Sequence, residues 1–554
     1  MSTCTALCLW LAGELGAILL HGTWPRVGPA KAGVVLLSVL RHPAQPALGW
    51  PLEYRRSIPG PVAFYLVGGL LLGTVGLGWR AVALTKRPRR VRSSRSRVPA
   101  VRTPRHRWAV HSEWARSGDV SALAVKRPTP GRLTLGRWCG RLLAAEPNQS
   151  VIVVGPTQSH KTTGFAIPAI LEWEGPVVAT SVKSDLVGRT LGWRRQKGLV
   201  WLYDPTESTG LQTSRWSPLS TCTTWLGARR MAAGLCSAAR SGKESLVDGD
   251  FWYSTASKLI APLLMAAALS GRSMRDVLAW VDTQEIDEVS AVLHHAGADE
   301  ALRAAMASWG REARQRSSVY TTAETILEAF ADPSVAASAT RSEIDPSVLL
   351  GGGANTLYIC APVREQQRLH SVFSALVAEV LSCAYSRVSR INSRASPLLL
   401  VLDEAANIAP LSDLDSLAAT AAGHGVQLVT VWQDLAQITA RYGGRAATVV
   451  NNHRGKVVLS GISDPATLEQ MSVLLGEEEL ALESRTTDAD GRLSTTLSPS
   501  SRRLAPSAAL RRIRPGTGVL VYGHLAPVEL DLRPWFEDRQ LRQRANMECR
   551  AESD

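Results

Sequence analysis

Short apolar runs alternate with longer amphipathic stretches along the chain from residue 140 onward. The runs are rich in β-branched residues and apolar at consecutive positions, which is typical of strands buried on both faces of a parallel sheet. The stretches between them have apolar residues at helical spacing, so the pattern predicts an α/β domain. The strand-like runs are Gln149–Gly155, Gly175–Leu186, Leu199–Pro205, Asn355–Pro362, Pro397–Leu402 and Gly425–Gln433, and a last stretch, Thr517–Phe536, predicts closing strands of the same sheet.

The strand-like runs stop between Cys222 and Asp345. The sequences DFWYSTASKLIAPLLMAAALSG, SMRDVLAWV and DEALRAAMASWGREARQR have helical apolar spacing and polar starts. We therefore predict an all-α domain over residues 222–345, inserted between the parts of the α/β domain at 140–221 and 346–554. Trp252 and Trp280 are interpreted as core residues of this insertion rather than as base-stacking residues.

The N-terminal 85 residues are predicted to form a transmembrane region. The run from Gly60 to Trp79 is uncharged and has about the ~20 residues that a bilayer-spanning helix needs. The run from Thr5 to His21 is shorter and carries Glu14, and it lacks the basic flank of a signal peptide, which favours an uncleaved first span. Ala32–Leu40 is too short to span and is interpreted as loop or interfacial structure. The prediction is two helices, at about residues 5–21 and 61–79.

A basic cluster follows the second predicted span. Ten Lys or Arg residues and no acidic residue lie between Lys86 and Arg107. The positive-inside rule places this flank and the rest of the chain in the cytoplasm, which predicts a multi-pass protein of the cell membrane. We interpret residues 86–139 as a basic juxtamembrane linker. These basic residues would either set the membrane topology and contact anionic lipid, or bind nucleic acid directly.

Composition excludes several classes of protein. Apolar residues make up 45% of the 554 residues, enough for packed cores, so global disorder is excluded. The eight cysteines are scattered and include no C-x-x-C pair, so neither a zinc ribbon nor a disulfide framework is predicted. The cluster after the second span accounts for most of the formal net charge of +14, so this charge is weak support for DNA binding.

The stretch Val151–Phe165, VIVVGPTQSHKTTGF, has the outline of a phosphate-binding loop, G-x-x-x-x-G-K-[ST], with His160 in place of the second glycine. It follows a predicted strand and opens a predicted helix, as such a loop requires. Lys161 would supply a positive charge to the β- and γ-phosphates of ATP, and Thr162 a hydroxyl for Mg²⁺. On this motif alone, an ordinary strand-to-helix turn is an equal alternative. The predicted nucleotide contacts are Gly155, Pro156, Thr157, Gln158, Ser159, His160, Lys161, Thr162 and Thr163.

Two carboxylates follow the apolar run Pro397–Leu402. Parallel α/β sheets bind ligands at the carboxyl ends of their strands, where Asp403 and Glu404 would lie. Asp403 suits a water-mediated Mg²⁺ ligand, and Glu404 suits the base that orients and deprotonates the attacking water. Gln433 ends a neighbouring predicted strand, where it would contact the γ-phosphate or the water and report hydrolysis. The alternatives are a helix-capping acidic pair and a solvent-facing glutamine.

Taken together, these segments resemble the type IV secretion coupling proteins, the TraD/TraG-like ATPases of conjugation, in a version similar to actinobacterial members. The resemblance rests on the two N-terminal spans and on ATSVKSDL, DFWYSTASKLIAPLL, VLDEAANI and VTVWQDLAQITARYG together with the loop. It implies a RecA-like P-loop ATPase fold with ATP and Mg²⁺, a membrane-anchored homo-hexamer, and delivery of single-stranded DNA with its relaxase into a secretion channel. The helical insertion would be the all-α domain that receives substrate.

Two departures from this family pattern bear on activity. Glycine before the loop lysine lets the backbone approach the β-phosphate, so His160 predicts weakened ATP binding and slow hydrolysis. The substitution His160→Gly should raise ATP affinity or turnover. We expect its Cβ to be tolerated at the helix start, with the imidazole pointing outward or toward a neighbouring subunit. Ala422 occupies a position where many relatives have an arginine. The arginines that remain as candidates to act on a neighbouring subunit are Arg364, Arg368, Arg441 and Arg454.

Two other functions are alternatives to the coupling-protein interpretation. A double-stranded DNA translocase of the chromosome-partitioning type usually has more membrane spans and a C-terminal winged helix, whereas we expect a short polar tail after Phe536. A recruitment platform with a decayed ATPase is favoured by His160. It is disfavoured by the presence of Lys161, Thr162, Asp403, Glu404 and Gln433.

Overall fold

The computed structural model describes residues 2–71, 112–182, 184–240, 249–388, 396–409, 411–487 and 493–547. The chain divides into two compact units, Met1–Ala109 and Val110–Asp554. The second unit has an α/β fold built on a large mixed sheet, as the apolar runs predicted. The basic cluster Lys86–Arg107 lies outside the described residues.

The first unit is helical where it is described. Its helices are α1 (Ser2–His21), α2 (Ala32–Arg41) and α3, whose described part is Pro61–Leu71. Phe64 and Trp50 are fully buried between them and their rings meet edge to face. Glu14, the charge that weakened the first predicted span, is buried and accepts a hydrogen bond from Trp50 Nε1 at 3.2 Å. The stretch Ala32–Leu40, interpreted as loop or interfacial structure, is helical.

The two predicted membrane spans are not established by the helix lengths. α1 and α3 contain apolar segments shorter than a spanning helix within the described residues, and residues 72–79 of the second predicted span lie outside them. One described helix, Val363–Arg387, is long and apolar enough to cross a bilayer. However, 61% of its apolar window is buried inside the α/β unit, so it packs there as a core helix.

The main sheet has twelve strands, in the order β1-β3-β2-β14-β13-β10-β4-β9-β8-β5-β7-β6, and two further strands form a separate hairpin. The strands are β1 (Ala124–Val125), β2 (Thr134–Trp138), β3 (Arg141–Ala144), β4 (Val151–Val154), β5 (Val177–Ser181), β6 (Val200–Tyr203), β7 (Thr356–Cys360), β8 (Leu398–Leu402), β9 (Val426–Trp432), β10 (Gly455–Leu459), β11 (Glu477–Thr487), β12 (Leu493–Arg503), β13 (Thr517–Tyr522) and β14 (Val528–Asp531).

The seven strands from β10 to β6 in this order are parallel to their neighbours. Both faces of these strands are buried: in β4, Ile152 and Val154 belong to one hydrophobic core and Val151 and Val153 to the other. Burial on both faces explains why the sequence shows continuous apolar runs instead of alternation. All seven carboxyl ends lie at one edge of the sheet, which positions the loops that follow β4, β8 and β9 together.

Seventeen further α-helices surround or extend the sheet in the described residues. They are α4 (Ile167–Glu172), α5 (Ser184–Arg195), α6 (Trp225–Arg240), α7 (Gly249–Ser270), α8 (Met274–Asp282), α9 (Asp287–His295), α10 (Asp299–Trp309), α11 (Ala313–Leu327), α12 (Pro333–Ser338), α13 (Pro346–Leu350), α14 (Val363–Val388), α15 (Leu414–Thr420), α16 (Leu435–Tyr442), α17 (Ala446–Asn452), α18 (Pro465–Leu475), α19 (Ser507–Arg511) and α20 (Arg539–Ala545).

Helices α6 to α12 occupy the region between β6 and β7, and the described part of residues 222–345 contains no strand. The flanking strands β6 and β7 are hydrogen-bonded neighbours, so the helical segment leaves and re-enters the sheet at adjacent positions. Trp280 is buried and its Nε1 donates to Glu288 Oε2 at 3.0 Å, while Trp252 packs partly buried against the same core. Both tryptophans are therefore core residues, as interpreted from the sequence.

The sheet extends further than predicted on the side of β10. β13 and β14 continue it, as predicted, and β2, β3 and β1 follow in antiparallel order. β1 and β2 lie inside residues 86–139, so the stretch interpreted as a linker contributes strands to the sheet. The polar tail expected after Phe536 is also different, because α20 forms there and its Leu541 is fully buried. The strands β1 and β2 are only two and five residues long, and α20 has few apolar residues, so neither segment shows a clear apolar pattern in the sequence.

Arg194 of α5 is fully buried beneath the sheet edge and bonds only to neutral acceptors among the described residues. Its guanidinium donates to Thr356 Oγ1 at 2.7 Å and to the carbonyls of Trp173, Gly175 and Ala354 at 2.6–2.8 Å. Burial lowers the pKa of Arg194 to about 10. This side chain joins α5 to the two segments that lead into the neighbouring strands β5 and β7.

We expect Arg194→Ala to lower the free energy of unfolding by at least about 3 kcal/mol, because several buried carbonyls would lose their donor. Chemical denaturation of the purified chain measures this change. Arg195→Ala, which removes the neighbouring exposed arginine, is the matched control and should stay within about 0.5 kcal/mol of the parent. Equal stability of the two variants would contradict the assigned role.

Candidate nucleotide-binding site

The loop after β4 has the close packing of a phosphate-binding loop. A Cβ at Gly155 would lie 2.6 Å from Ser159 Oγ and 2.9 Å from the Leu459 Cβ, so only glycine fits there. Ser159 is buried and its hydroxyl donates to the Pro156 carbonyl at 2.8 Å, which closes the turn. Thr157 and Gln158 are exposed at the tip of the loop. The packing at Gly155 and Ser159 thus fixes the loop, while Thr157 and Gln158 face solvent.

The helix that follows begins at Lys161 with a wide π-helical turn over Thr162–Ala166. Pro168 has no N–H, so the Gly164 carbonyl cannot accept the usual hydrogen bond from four residues ahead. Instead, the N–H of Ile167 donates to the Thr162 carbonyl, five residues back. The wide turn places Thr162 and Thr163 at the mouth of the loop.

Two residues of the loop have left-handed backbone conformations. Gln158 and His160 both have φ of +65°, and neither N–H forms a hydrogen bond within the described residues. Alternation of left-handed and right-handed residues turns successive N–H groups into one concavity, which is a typical anion site. The loop therefore fits a phosphate chain.

The conformation of His160 corrects our expectation from the sequence. We expected its Cβ to be tolerated because the residue lies at the helix start, but φ of +65° places it before the helix in a region that favours glycine. Glycine at this position thus relieves backbone strain, in addition to letting phosphate approach. His160 pays this conformational cost, of order 1 kcal/mol.

The imidazole of His160 points away from the interior of the loop. Its Nδ1 lies 3.0 Å from Thr163 Oγ1, and its ring centroid lies 6.2 Å from that of Phe536 in the C-terminal segment. Both orientations predicted from the sequence, outward or toward a neighbouring subunit, are compatible with these contacts. The phosphate concavity is therefore not filled by the histidine side chain.

Lys161 is buried at the base of the loop. Its ammonium donates to the carbonyls of Gly155 and Pro156, both at 2.6 Å, and forms no ion pair within 4.0 Å in the described part of the chain. Burial lowers the pKa of Lys161, and the nearby charges of Asp403 and Glu404 act in the opposite direction. A buried ammonium with only neutral bonded partners is well suited to an anionic phosphate.

Asp403 follows β8 and meets the loop directly. Thr162 Oγ1 donates to Asp403 Oδ2 at 2.9 Å, although the two residues are 241 positions apart. Thr180 Oγ1 of β5 donates to the Asp403 carbonyl at 3.2 Å, which fixes the strand end from the other side. A hydroxyl and a carboxylate in contact at the mouth of a phosphate loop form a donor set that suits Mg²⁺ with its waters. The pair therefore fits the ion that ATP would bring.

Glu404 lies beside Asp403 with a half-exposed carboxylate. Its backbone has φ of +60°, an uncommon conformation for a residue with a side chain. Asn407 Nδ2 donates to Glu404 Oε2 at 3.2 Å. The strained turn and the asparagine orient a carboxylate that is open to water, which is the arrangement a general base requires.

Gln433 lies at the end of β9, next to the start of the loop. The carbonyl of the preceding residue, Trp432, accepts a hydrogen bond from the Gly155 N–H at 3.0 Å. The Gln433 N–H is held by Gln437 Oε1 at 3.0 Å, and its side-chain amide has no hydrogen bond among the described residues. The structure thus brings Gln433 to the same edge as Lys161 and Asp403.

The four candidate arginines differ in their surroundings. Arg368 pairs with Asp332 and Glu365, and Arg454 pairs with Glu146 before β10, at the edge opposite the loop. Burial lowers the pKa of Arg441 to about 10. Arg364 is exposed at the start of α14, after β7 and at the carboxyl edge of the sheet, and it has no ion pair within the described residues.

Several residues of the site escaped the sequence analysis. Thr180, Asn407 and the C-terminal segment around Phe536 support the loop or the carboxylates. Thr180 and Asn407 lie inside ATSVKSDL and VLDEAANI, two of the segments on which the family resemblance rests, but neither residue was predicted to support the site. The polar residue inside the apolar run of β5 was the available signal for Thr180. Asn407 contacts Glu404 three residues away, so its place after the acidic pair was the available signal for it. Phe536 carries no local signal, because its contact with His160 joins segments that are distant in the sequence.

Known proteins are similar to most of this chain in sequence. A family profile described as "Type IV secretory system Conjugative DNA transfer" matches residues 108–553. The "Conjugal transfer protein TraG" of Escherichia coli is 24% identical over 519 residues, covering 84% of this chain and 78% of that protein. "Protein VirD4" of Agrobacterium fabrum is 23% identical and covers 79% of this chain and 66% of that protein.

Solved structures share the fold. The structure titled "Plasmid coupling protein TrwB in complex with ADP and Mg2+" has a TM-score of 0.58 at 19% identity and covers 77% of this chain and 94% of that chain. A form of TrwB without bound nucleotide has a TM-score of 0.59 at 18% identity, covering 76% and 93%. The profile match spans most of the residues, including the loop, the acidic strand and the helical insertion. The chain therefore belongs to the type IV secretory system conjugative DNA transfer family.

Proposed function

We propose that this chain is a membrane-anchored ATPase that couples ATP hydrolysis to the delivery of single-stranded DNA, with its relaxase, to a type IV secretion channel. The observation that carries the proposal is the 2.9 Å contact between Thr162 and Asp403, which joins the phosphate loop to the acidic strand. Membership of the conjugative DNA transfer family supports the DNA substrate. The nucleotide-bound forms of TrwB support ATP and Mg²⁺ as ligands.

In this proposal each residue has a distinct task. The residues from Gly155 to Thr163 bind the phosphate chain through backbone N–H groups, and Lys161 moves its ammonium from the loop carbonyls to the phosphates. Thr162 and Asp403 would hold Mg²⁺, which when bound would neutralise charge on the phosphates. Glu404 accepts the proton of the attacking water, and Gln433 orients that water and senses the γ-phosphate.

The wider organisation is also part of the proposal. We propose two membrane spans at about residues 5–21 and 61–79, a basic flank over 86–107 and a cytoplasmic bulk. An α/β nucleotide-binding domain would comprise residues from about 112 to 221 and from 346 to 554, with the all-α domain at 222–345. The chain would be a coupling protein of the actinobacterial type, and its active form would be a homo-hexamer. Arg364, exposed at the carboxyl edge, is the candidate to act on the neighbouring subunit's site.

A conjugation assay distinguishes this function from a recruitment platform with a decayed ATPase. Donor cells that produce Lys161→Ala in place of the parent chain are expected to transfer no DNA, because ATP cannot be bound productively. Donor cells that produce Lys197→Ala, an exposed lysine of the same unit, serve as the control. Normal transfer with Lys161→Ala would favour the recruitment platform, for which His160 is the supporting observation.

The histidine in the loop leads to a prediction about rate. We expect His160→Gly to raise ATP turnover by about 2- to 10-fold, since glycine removes a left-handed strain of order 1 kcal/mol and lets the backbone approach the β-phosphate. Steady-state phosphate release measures the change. His424→Gly, at a histidine remote from the loop in sequence, is the control. A decrease in turnover with His160→Gly would show that the imidazole itself assists the reaction.

A further inference from the structure

The C-terminal segment Leu532–Phe536 reaches the phosphate loop from the side opposite to the acidic strand. β14 is antiparallel to β13, which is antiparallel to β10, so β14 runs in the same direction as the parallel strands. Its carboxyl end therefore lies at the edge of the sheet that carries the loop. The N–H of Trp535 donates to the Thr163 carbonyl at 3.0 Å, which attaches the segment to the end of the loop.

Phe536 presents an aromatic ring at this point. Its ring centroid lies 6.2 Å from that of His160 and 5.6 Å from that of Trp535, so it contacts two other rings. The residue is nevertheless 38% exposed, which leaves part of the ring open to solvent beside the loop. Arg189 stacks on the Trp535 ring at 4.7 Å and stabilises the segment from the outside.

The order of the strands gives the direction of a bound nucleotide. β9 and β8, which are followed directly by Gln433 and Asp403, lie on one side of β4, whereas β10, β13 and β14 lie on the other. The γ-phosphate must lie toward the carboxylates, because they activate the attacking water. The nucleoside, at the other end of the same ligand, then leaves the loop toward Thr163 and Phe536.

We infer that Phe536 is the platform on which the purine base of the bound nucleoside triphosphate stacks, and that His160 supports the inner side of this platform. The inference rests on the proposed function and adds a base-binding residue to it. Aromatic stacking on a base contributes about 5- to 150-fold in affinity. The outward turn of His160 thus places the residue that departs from the loop motif against the platform.

The test compares a ligand with a base to one without. Binding of ATP and of inorganic tripolyphosphate to the full-length chain is measured by calorimetry for the parent, Phe536→Ala, Phe536→Trp and Phe251→Ala. Phe251 is an exposed phenylalanine of α7 and serves as the control. We expect Phe536→Ala to weaken ATP binding by 5- to 150-fold and to leave tripolyphosphate binding within about 2-fold. Phe536→Trp and Phe251→Ala should retain ATP affinity.

Two results would overturn the inference and leave the proposed function standing. One is ATP binding by Phe536→Ala that equals the parent, and the other is an equal loss of ATP and tripolyphosphate binding, which would make Phe536 a support of the loop only. A parent chain that binds neither ligand would contradict the proposed function itself, and the base platform with it.

Discussion

Replacing Glu404 with glutamine is expected to lower ATP turnover by about 10²- to 10⁴-fold while ATP remains bound. The carboxylate is half exposed, oriented by Asn407 and placed after Asp403, so its removal takes away a proton acceptor. The loop, Lys161 and the contact between Thr162 and Asp403 are untouched, so the phosphate site persists. Phosphate release and retention of labelled ATP, measured on the same preparation, report the two quantities.

Glu328→Gln, at an exposed glutamate of the helical insertion, controls for the loss of one negative charge. It should leave turnover and ATP retention unchanged. Turnover by Glu404→Gln within a few-fold of the parent would assign the base to another group. Loss of ATP binding in the same variant would instead indicate that Glu404 holds the nucleotide or its ion.

Removing the loop lysine should weaken ATP binding, whereas removing the carboxylate of Glu404 should leave ATP bound. We expect Lys161→Ala to weaken ATP binding by about 10- to 150-fold, because hydrogen bonds to charged groups contribute about 1.5–3 kcal/mol. Its ammonium is buried with only the Gly155 and Pro156 carbonyls as bonded partners, so no carboxylate competes for it directly. Equilibrium titration with ATP measures the loss.

Lys197→Ala is the matched control and should bind ATP like the parent. Both Lys161→Ala and Glu404→Gln should abolish DNA transfer, but only Glu404→Gln should retain ATP. Equal retention of ATP by the two variants would contradict the separate roles given to the lysine and the glutamate.

Apolar runs were sufficient to predict the parallel part of the sheet. Strands buried on both faces need consecutive apolar residues, and the carboxyl ends of parallel strands meet at one edge. For that reason Lys161, Asp403 and Gln433 could be assigned to one site although 272 positions separate the first from the last. The helical insertion could also be predicted, because the spacing of its apolar residues differs from that of the strands on either side.

Other features depend on interactions that local sequence does not encode. The left-handed backbone at His160 and at Glu404 is imposed by the surrounding turns, and neither residue type reveals it. The antiparallel strands β1 to β3 and the hairpin of β11 and β12 have mixed polar composition, so their pairing with partners decides their structure. The approach of Phe536 to the loop results from the direction of β14, which is set by two earlier strand reversals.

The most direct test of the whole account is ATP turnover by the full-length chain in lipid nanodiscs, with and without single-stranded DNA. We expect single-stranded DNA to raise turnover by the parent chain more than duplex DNA of the same length does, and Glu404→Gln to stay near background in every condition. Parent turnover that equals Glu404→Gln turnover in the presence of single-stranded DNA would contradict the assignment of this chain as a DNA-transfer ATPase.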